Sequence, residues 1–179
     1  MLAAGDELLD AVEQVGVAVF DTGGGGLQAA GLAAHVRFGQ AEGAELLAAL
    51  EELASALGLA GPPLRIECYD ISNFQGSESV GSMVVFEDGK PRSGEYRRFK
   101  IRTVQGPNDF ASHQEVLRRR FRLAKHGEEG TDEERRWAMP DLVIVDGGKG
   151  QVSAAKEVLD ELGLHDLPLA GLAKEREEL

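Results

Sequence analysis

The 179 residues carry 31 Asp and Glu against 19 Lys and Arg, a net charge of −12, which excludes a general nucleic-acid binder coated in cationic surface. The length suits one good core with a small appended piece. No apolar run reaches membrane-spanning length, and the first residues lack the basic and apolar regions of a signal peptide. The single cysteine, Cys68, excludes an internal disulfide and fits a reducing cytosol. It stands in an apolar stretch and reads as a small core residue. Charge is unevenly spread: residues 1–60 hold nine acids and one base, Arg37, whereas Lys90 to Lys125 is rich in Arg and Lys.

In chain order, Leu8, Leu9, Val12 and Val15 space a short helix over residues 1–15. Gly16 to Asp21 reads as a small strand, and Gly23 to Gly26 as a flexible break. This glycine run lacks the Gly-Lys-Ser/Thr of a phosphate loop. Leu46, Leu47, Leu50, Leu53, Ala54 and Leu57 recur at helical spacing within Ala41 to Leu57. Gly61-Pro62-Pro63 then ends that element. The expected organisation is a mostly helical N-terminal extension over 1–61 and a main domain over 62–179.

The main domain opens with a strand, Leu64 to Asp70, ending in a carboxylate. Ser79 to Lys90 is a second strand with a hairpin signal at Asp88-Gly89. Its expected partner is Glu95 to Arg102, with Tyr96, Arg98, Lys100 and Arg102 on one face and Phe99 and Ile101 on the other. Asn108 to about His126 reads as a helix with Phe110, Leu117, Phe121 and Ala124 inward and Arg118, Arg119 and Arg122 outward or sideways. A charged connection follows to Trp137. Leu142 to Val145 is a β-branched apolar run of the kind that fills a strand buried on both faces. It ends at Asp146, and the chain breaks at Gly147-Gly148. Lys149 leads into an amphipathic helix carrying Val152, Ala155, Leu159 and Leu162 on one face. Leu167 to Leu172 reads as a last strand.

Asp70 and Asp146 thus close two strands built alike. A carboxylate at the carboxyl end of a buried strand, beside a turn, stands where open α/β sheets place their ligands; capping of the following helix is the plainer role for Asp146. If the strands are parallel neighbours, two carboxylates meet and hold one hard cation, Mg²⁺ or Mn²⁺. A strand meander followed by α/β units, with acids on the first and fourth strands, matches the ribonuclease-H-like plan, a mixed sheet flanked by helices.

Several blocks in order resemble the UvrC family, the nuclease subunit of the bacterial UvrABC excision-repair system. They are Arg65-Ile-Glu-Cys-Tyr-Asp-Ile-Ser72, Val80-Gly-Ser-Met-Val-Val-Phe86, Glu95-Tyr-Arg-Arg-Phe99, Val116-Leu-Arg-Arg-Arg120, Pro140-Asp-Leu-Val-Ile-Val-Asp-Gly-Gly-Lys-Gly-Gln151 and Gly171-Leu-Ala-Lys174. The resemblance covers about residues 62–176 and the family's C-terminal, ribonuclease-H-like endonuclease domain. It implies the 5′ incision of nucleotide excision repair in the SOS response, with Asp70 and Asp146 as catalytic, metal-holding aspartates and Asp109 as a further catalytic acid. Lys149, Arg97, Arg98, Lys100, Arg118, Arg119 and Arg120 are the candidate DNA contacts. Damaged double-stranded DNA and UvrB, with UvrA upstream, are the implied partners; a cytoplasmic monomer is expected. The family's catalytic histidine stands in an Asp-Glu-Ala-His-Arg-Phe-like segment, and His35, His113, His126 and His165 lie in no such context. The chain therefore reads as a truncated domain, expected to be inactive alone. The alternative from another class is a non-catalytic module that binds DNA or a repair protein.

Overall fold

The computed structural model describes residues 17–21, 27–30, 43–74, 78–104, 106, 108–124 and 137–173. The strands are β1 (Val17–Asp21), β2 (Leu27–Ala30), β3 (Arg65–Phe74), β4 (Glu78–Glu87), β5 (Lys90–Pro91), β6 (Arg97–Lys100), β7 (Leu142–Asp146) and β8 (Leu169–Ala173). The helices are α1 (Ala44–Leu57), α2 (Asp109–Ala124) and α3 (Lys149–Glu161). The strands form one mixed sheet ordered β2-β1-β8-β7-β3-β4-β5, with β6 also paired to β4. β3, β7 and β8 run parallel, while β4 and β1 are antiparallel to their neighbours. This is the α/β mixed sheet expected.

Strand alternation divides the core. Ile66 and Cys68 of β3 and Leu142 and Ile144 of β7 face one side, where they meet Leu50, Leu53 and Leu57 of α1. Each such leucine contributes about 1.5–3 kcal/mol through burial. Tyr69, Val143 and Val145 face the other side, against Val116, Leu117 and Phe121 of α2 and Val152, Ala155, Val158 and Leu159 of α3. β7 and β8 are buried on both faces, which is why their sequences read as continuous apolar runs.

Several expectations needed correction. Asp88-Gly89 does make a two-residue hairpin, with Glu87 opposite Lys90. Its partner is the short β5, and the chain then passes through a 3₁₀ turn, Ser93–Glu95, before β6 returns along the same edge of β4. Residues 17–21 form the expected strand, but β1 pairs with β8 and extends the sheet together with an unforeseen β2. α1 packs into this core and β1 joins its sheet. The helix over 1–15, the break at 23–26 and most of the connection before Trp137 lie outside the described residues.

Arg120 departs furthest from expectation. Its guanidinium is fully buried on Glu67, with Nη2 donating to Oε1 at 2.6 Å and Nε to Oε2 at 3.0 Å. Tyr69 Oη adds a 2.6 Å bond to the same carboxylate, and Nη2 also donates to the Ala138 carbonyl at 2.7 Å. Arg65 reaches Glu67 at 3.4 Å and Glu95 at 2.8 Å. A guanidinium so enclosed has no surface to offer DNA. Its partner Glu67 lies three residues before Asp70 on β3, and nothing in the periodicity of α2 shows that an acid waits inside the sheet.

Candidate metal and phosphodiester site

β3 and β7 pair in parallel with Cys68 opposite Ile144 and Tyr69 opposite Val145. The next residue on each strand is Asp70 and Asp146, so the two aspartates come side by side, one interstrand spacing of about 4.8 Å apart, where β7 ends while β3 runs on to Phe74, past the end expected at Asp70. They also share a face: each continues the alternation of Cys68 and Ile144, whose side chains lie in the core beneath α1. Both aspartates are partly exposed. Asp70 Oδ2 accepts a 2.9 Å hydrogen bond from Ser72 Oγ.

The row continues across the sheet. Asp70 stands opposite Ser82 on β4, and Ser82 opposite Arg98 on β6. Val80 pairs with Lys100, placing that lysine two residues further along the same side. Arg98 and Lys100 are exposed while Phe99 between them is buried. The basic strand face anticipated for Arg98 and Lys100 is thus on the aspartates' side of the sheet. Arg97 points elsewhere, with Nη1 donating to the carbonyls of Gly94 and Tyr96 and its guanidinium 5.6 Å from the Trp137 ring.

α2 and α3 cover the opposite face, parallel to each other. Gln114 donates to the Ala154 carbonyl, and Arg118 pairs with Glu161 through two bonds of 2.9 and 3.0 Å. The nearly constant offset between these partners brings both helix N-termini to the end of the sheet that carries Asp70 and Asp146. The positive poles of two helix dipoles therefore favour anionic groups there. Gly147, at φ 144°, makes the turn between β7 and α3; a side chain there would collide with Gln151. Lys149 is exposed at the first position of α3.

Asp109 opens α2, at the helix terminus that reaches the aspartates' end of the sheet. Among the described residues, no three His, Cys, Asp or Glu side chains group closely enough to hold a metal ion. Two carboxylates nonetheless suit Mg²⁺, which dehydrates reluctantly and keeps water or substrate phosphate in its remaining positions. The donor set fits the expected cation.

Arg118 and Arg119 lie on α2, away from the pair. Arg119 donates to the Lys100 carbonyl at 2.7 Å and rests 5.5 Å from the Phe99 ring. Glu115 accepts from Thr103 and from the Arg102 N–H. Burial opposes the charge on Glu115, but these donors overcome it and hold its pKa below the usual glutamate range.

One of the four histidines outside the family's motif context is a buried neighbour of the site. His113 is 2 % exposed, and its Nδ1 donates to the Asp109 carbonyl at 3.0 Å. The ring lies against the Tyr69 backbone, and Nε2 has no hydrogen-bond partner of regular geometry. Burial lowers its pKa, against the opposing pull of the Asp109 and Tyr69 carbonyls and the charges of Asp70 and Asp109. The ring therefore bridges the start of α2 to the end of β3. The signal available was its i+4 spacing from Asp109, which stacks the two on one helix face.

Comparison with known proteins identifies the family. The model of the "UvrC RNAse H endonuclease domain" family matches residues 54–179. UvrABC system protein C of Dehalococcoides mccartyi strain BAV1 is 54% identical over 131 residues, covering 73% of this chain and 21% of that protein. Its counterpart in Bdellovibrio bacteriovorus is 52% identical over 134 residues, 75% of this chain and 20% of that protein. The chain thus spans about a fifth of the length of these curated relatives. Among solved structures, Ciona intestinalis endonuclease V in complex with a 24mer DNA shows 16% identity and a TM-score of 0.44, covering 65% of this chain and 48% of that one. With the family model matching most of the chain and half the residues shared with its relatives, the chain belongs to the UvrC RNase H endonuclease domain family.

Proposed function

We propose that this chain is the DNA endonuclease domain responsible for the 5′ incision in nucleotide excision repair, working with a divalent cation, Mg²⁺ or Mn²⁺, at Asp70 and Asp146. The observation that supports the reading is the parallel pairing of β3 and β7 through Tyr69 and Val145, the residues just before Asp70 and Asp146. A bound divalent cation supplies Lewis acidity toward the phosphate and lowers the pKa of a water molecule. Asp70 and Asp146 hold the cation and are kept close by strands that cannot separate without breaking the core. Arg98 and Lys100, on the same side, follow the DNA backbone by charge. Lys149 and the first amides of α3 steady a phosphate oxygen near the pair. Asp109 adds a third carboxylate from α2 to the incision.

Damaged duplex DNA is the substrate, UvrB the partner that presents it after UvrA, and the bacterial cytoplasm the compartment. No helix among the described residues is long and apolar enough to cross a membrane. None of the four histidines in the sequence stands in the context of the family's catalytic histidine, so these residues by themselves are expected to nick weakly.

The test pairs calorimetry with nicking of a lesion-containing duplex in the presence of UvrB. Wild type should bind Mn²⁺, and any nicking should vanish with EDTA and in Asp146→Asn. Unchanged Mn²⁺ affinity in both Asp70→Asn and Asp146→Asn, or nicking that survives them, would overturn the shared site.

A further inference from the structure

Spacing on α2 assigns Phe110 to the core with Leu117 and Phe121, yet Phe110 is 48% exposed while Leu117 and Phe121 are fully buried. A lone exposed apolar residue is ordinary, so exposure alone decides nothing. The setting of this ring does. Phe110 follows Asp109 at the start of α2, and its Cε1 and Cζ lie against Gly150 at the start of α3. A Cβ on residue 150 would come within 2.7 Å of Cε1 and 3.0 Å of Cζ. The aromatic ring thus occupies space that only glycine leaves open, next in sequence to the exposed Lys149, which is three residues beyond Asp146.

We propose that Phe110 is a stacking platform for an unpaired nucleobase next to the phosphate being cut. This rests on the nuclease reading above and specifies which part of the substrate the site engages. A phosphodiester can reach two carboxylates at strand ends more readily if a neighbouring nucleotide leaves its stack, and the displaced base then needs a new apolar face. Phe110 supplies such a face without discriminating between bases, because every base has one. Lys149 beside it meets the accompanying backbone charge.

The experiment uses the 179-residue chain at low salt with Mg²⁺ and two fluorescein-labelled hairpin duplexes, one fully paired and one carrying a bulge of unpaired thymidines. Fluorescence anisotropy should show tighter binding to the bulged duplex. Phe110→Tyr should keep that preference, whereas Phe110→Leu, which preserves an apolar side chain over Gly150, should weaken bulge binding roughly tenfold and leave paired binding unchanged. Circular dichroism on both variants confirms that α2 still folds. If Phe110→Leu binds the bulge as tightly as wild type, the platform falls while the nuclease reading stands. If wild type binds neither duplex, the nuclease reading falls and takes the platform with it.

Discussion

Two acids three residues apart on β3 have opposite fates. Glu67 is fully buried and met by the Arg120 guanidinium through two bonds, by the Tyr69 hydroxyl and by Arg65. Asp70 is partly exposed and receives a hydroxyl from Ser72. The odd-numbered positions of the strand turn toward α2, where a helix brings its own cation. The even-numbered positions turn toward the α1 side. Glu67 serves the fold by being satisfied from within the chain. Asp70 and Asp146 are partly exposed and brought together by the same strands, and in the proposed site they meet a cation that comes from outside.

The sharpest way to break the contrast is to expose the inner half of it. Arg120→Met leaves Glu67 buried without its main partner and should cost about 3–5 kcal/mol, the range for breaking a buried ion pair. Urea denaturation measures it; a loss below about 1 kcal/mol would show that the pair is solvated and that the two acids do not differ as described. The Tyr69 hydroxyl should report the same change, since burial and then the Glu67 charge push its pKa well up.

The outer half should respond in the reverse sense. Asp70→Asn and Asp146→Asn remove metal-binding charge without emptying the core. Mn²⁺ affinity should fall by roughly 10–100-fold or more, the range that even an outer-shell change commands. Unfolding free energy should move by less than about 1 kcal/mol, or rise as like-charge repulsion is relieved. Isothermal calorimetry and denaturation on the same samples separate the two effects.

A smaller effect is expected at Gly150. Alanine there improves helix propensity by up to about 1 kcal/mol, while its Cβ displaces the Phe110 ring. Gly150→Ala should therefore match or exceed wild type in thermal melting and lose its preference for bulged DNA in anisotropy. Stability and binding moving together would contradict the division between inner and outer roles.

The smallest effect is a pH dependence at Glu115. Its folded pKa is held below the usual range by the Thr103 and Arg102 donors, against burial. A carboxylate lowered on folding stabilises the protein above its unfolded pKa of roughly 4.3, and that contribution disappears as pH falls through the lower folded value. Denaturation midpoints measured from pH 6 down to pH 2 should fall less steeply in Glu115→Gln than in wild type, with the difference appearing below about pH 4.3. Parallel curves would remove Glu115 from the acid response.

Much of the architecture was legible before any coordinates. The strand through Asp70, the β-branched run ending in Asp146, the helical spacing in α1, α2 and α3, and the Asp88-Gly89 turn are local features, and local steric and burial rules set them. The motifs around Asp70 and Asp146 likewise carried the family, because residue types at fixed spacing survive without knowledge of the contacts. Tertiary structure decided what local pattern cannot encode. Phe110 obeys the core spacing of α2, yet it stands half exposed with its ring against Gly150. Arg118, Arg119 and Arg120 read alike as a basic cluster; their directions on α2 send one to Glu161, one to Lys100 and Glu115, and one inside to Glu67. Periodicity reports which face a residue occupies, whereas the partner awaiting it there is brought by a distant part of the chain, and that partner determines whether a charge builds the fold or remains available to a ligand.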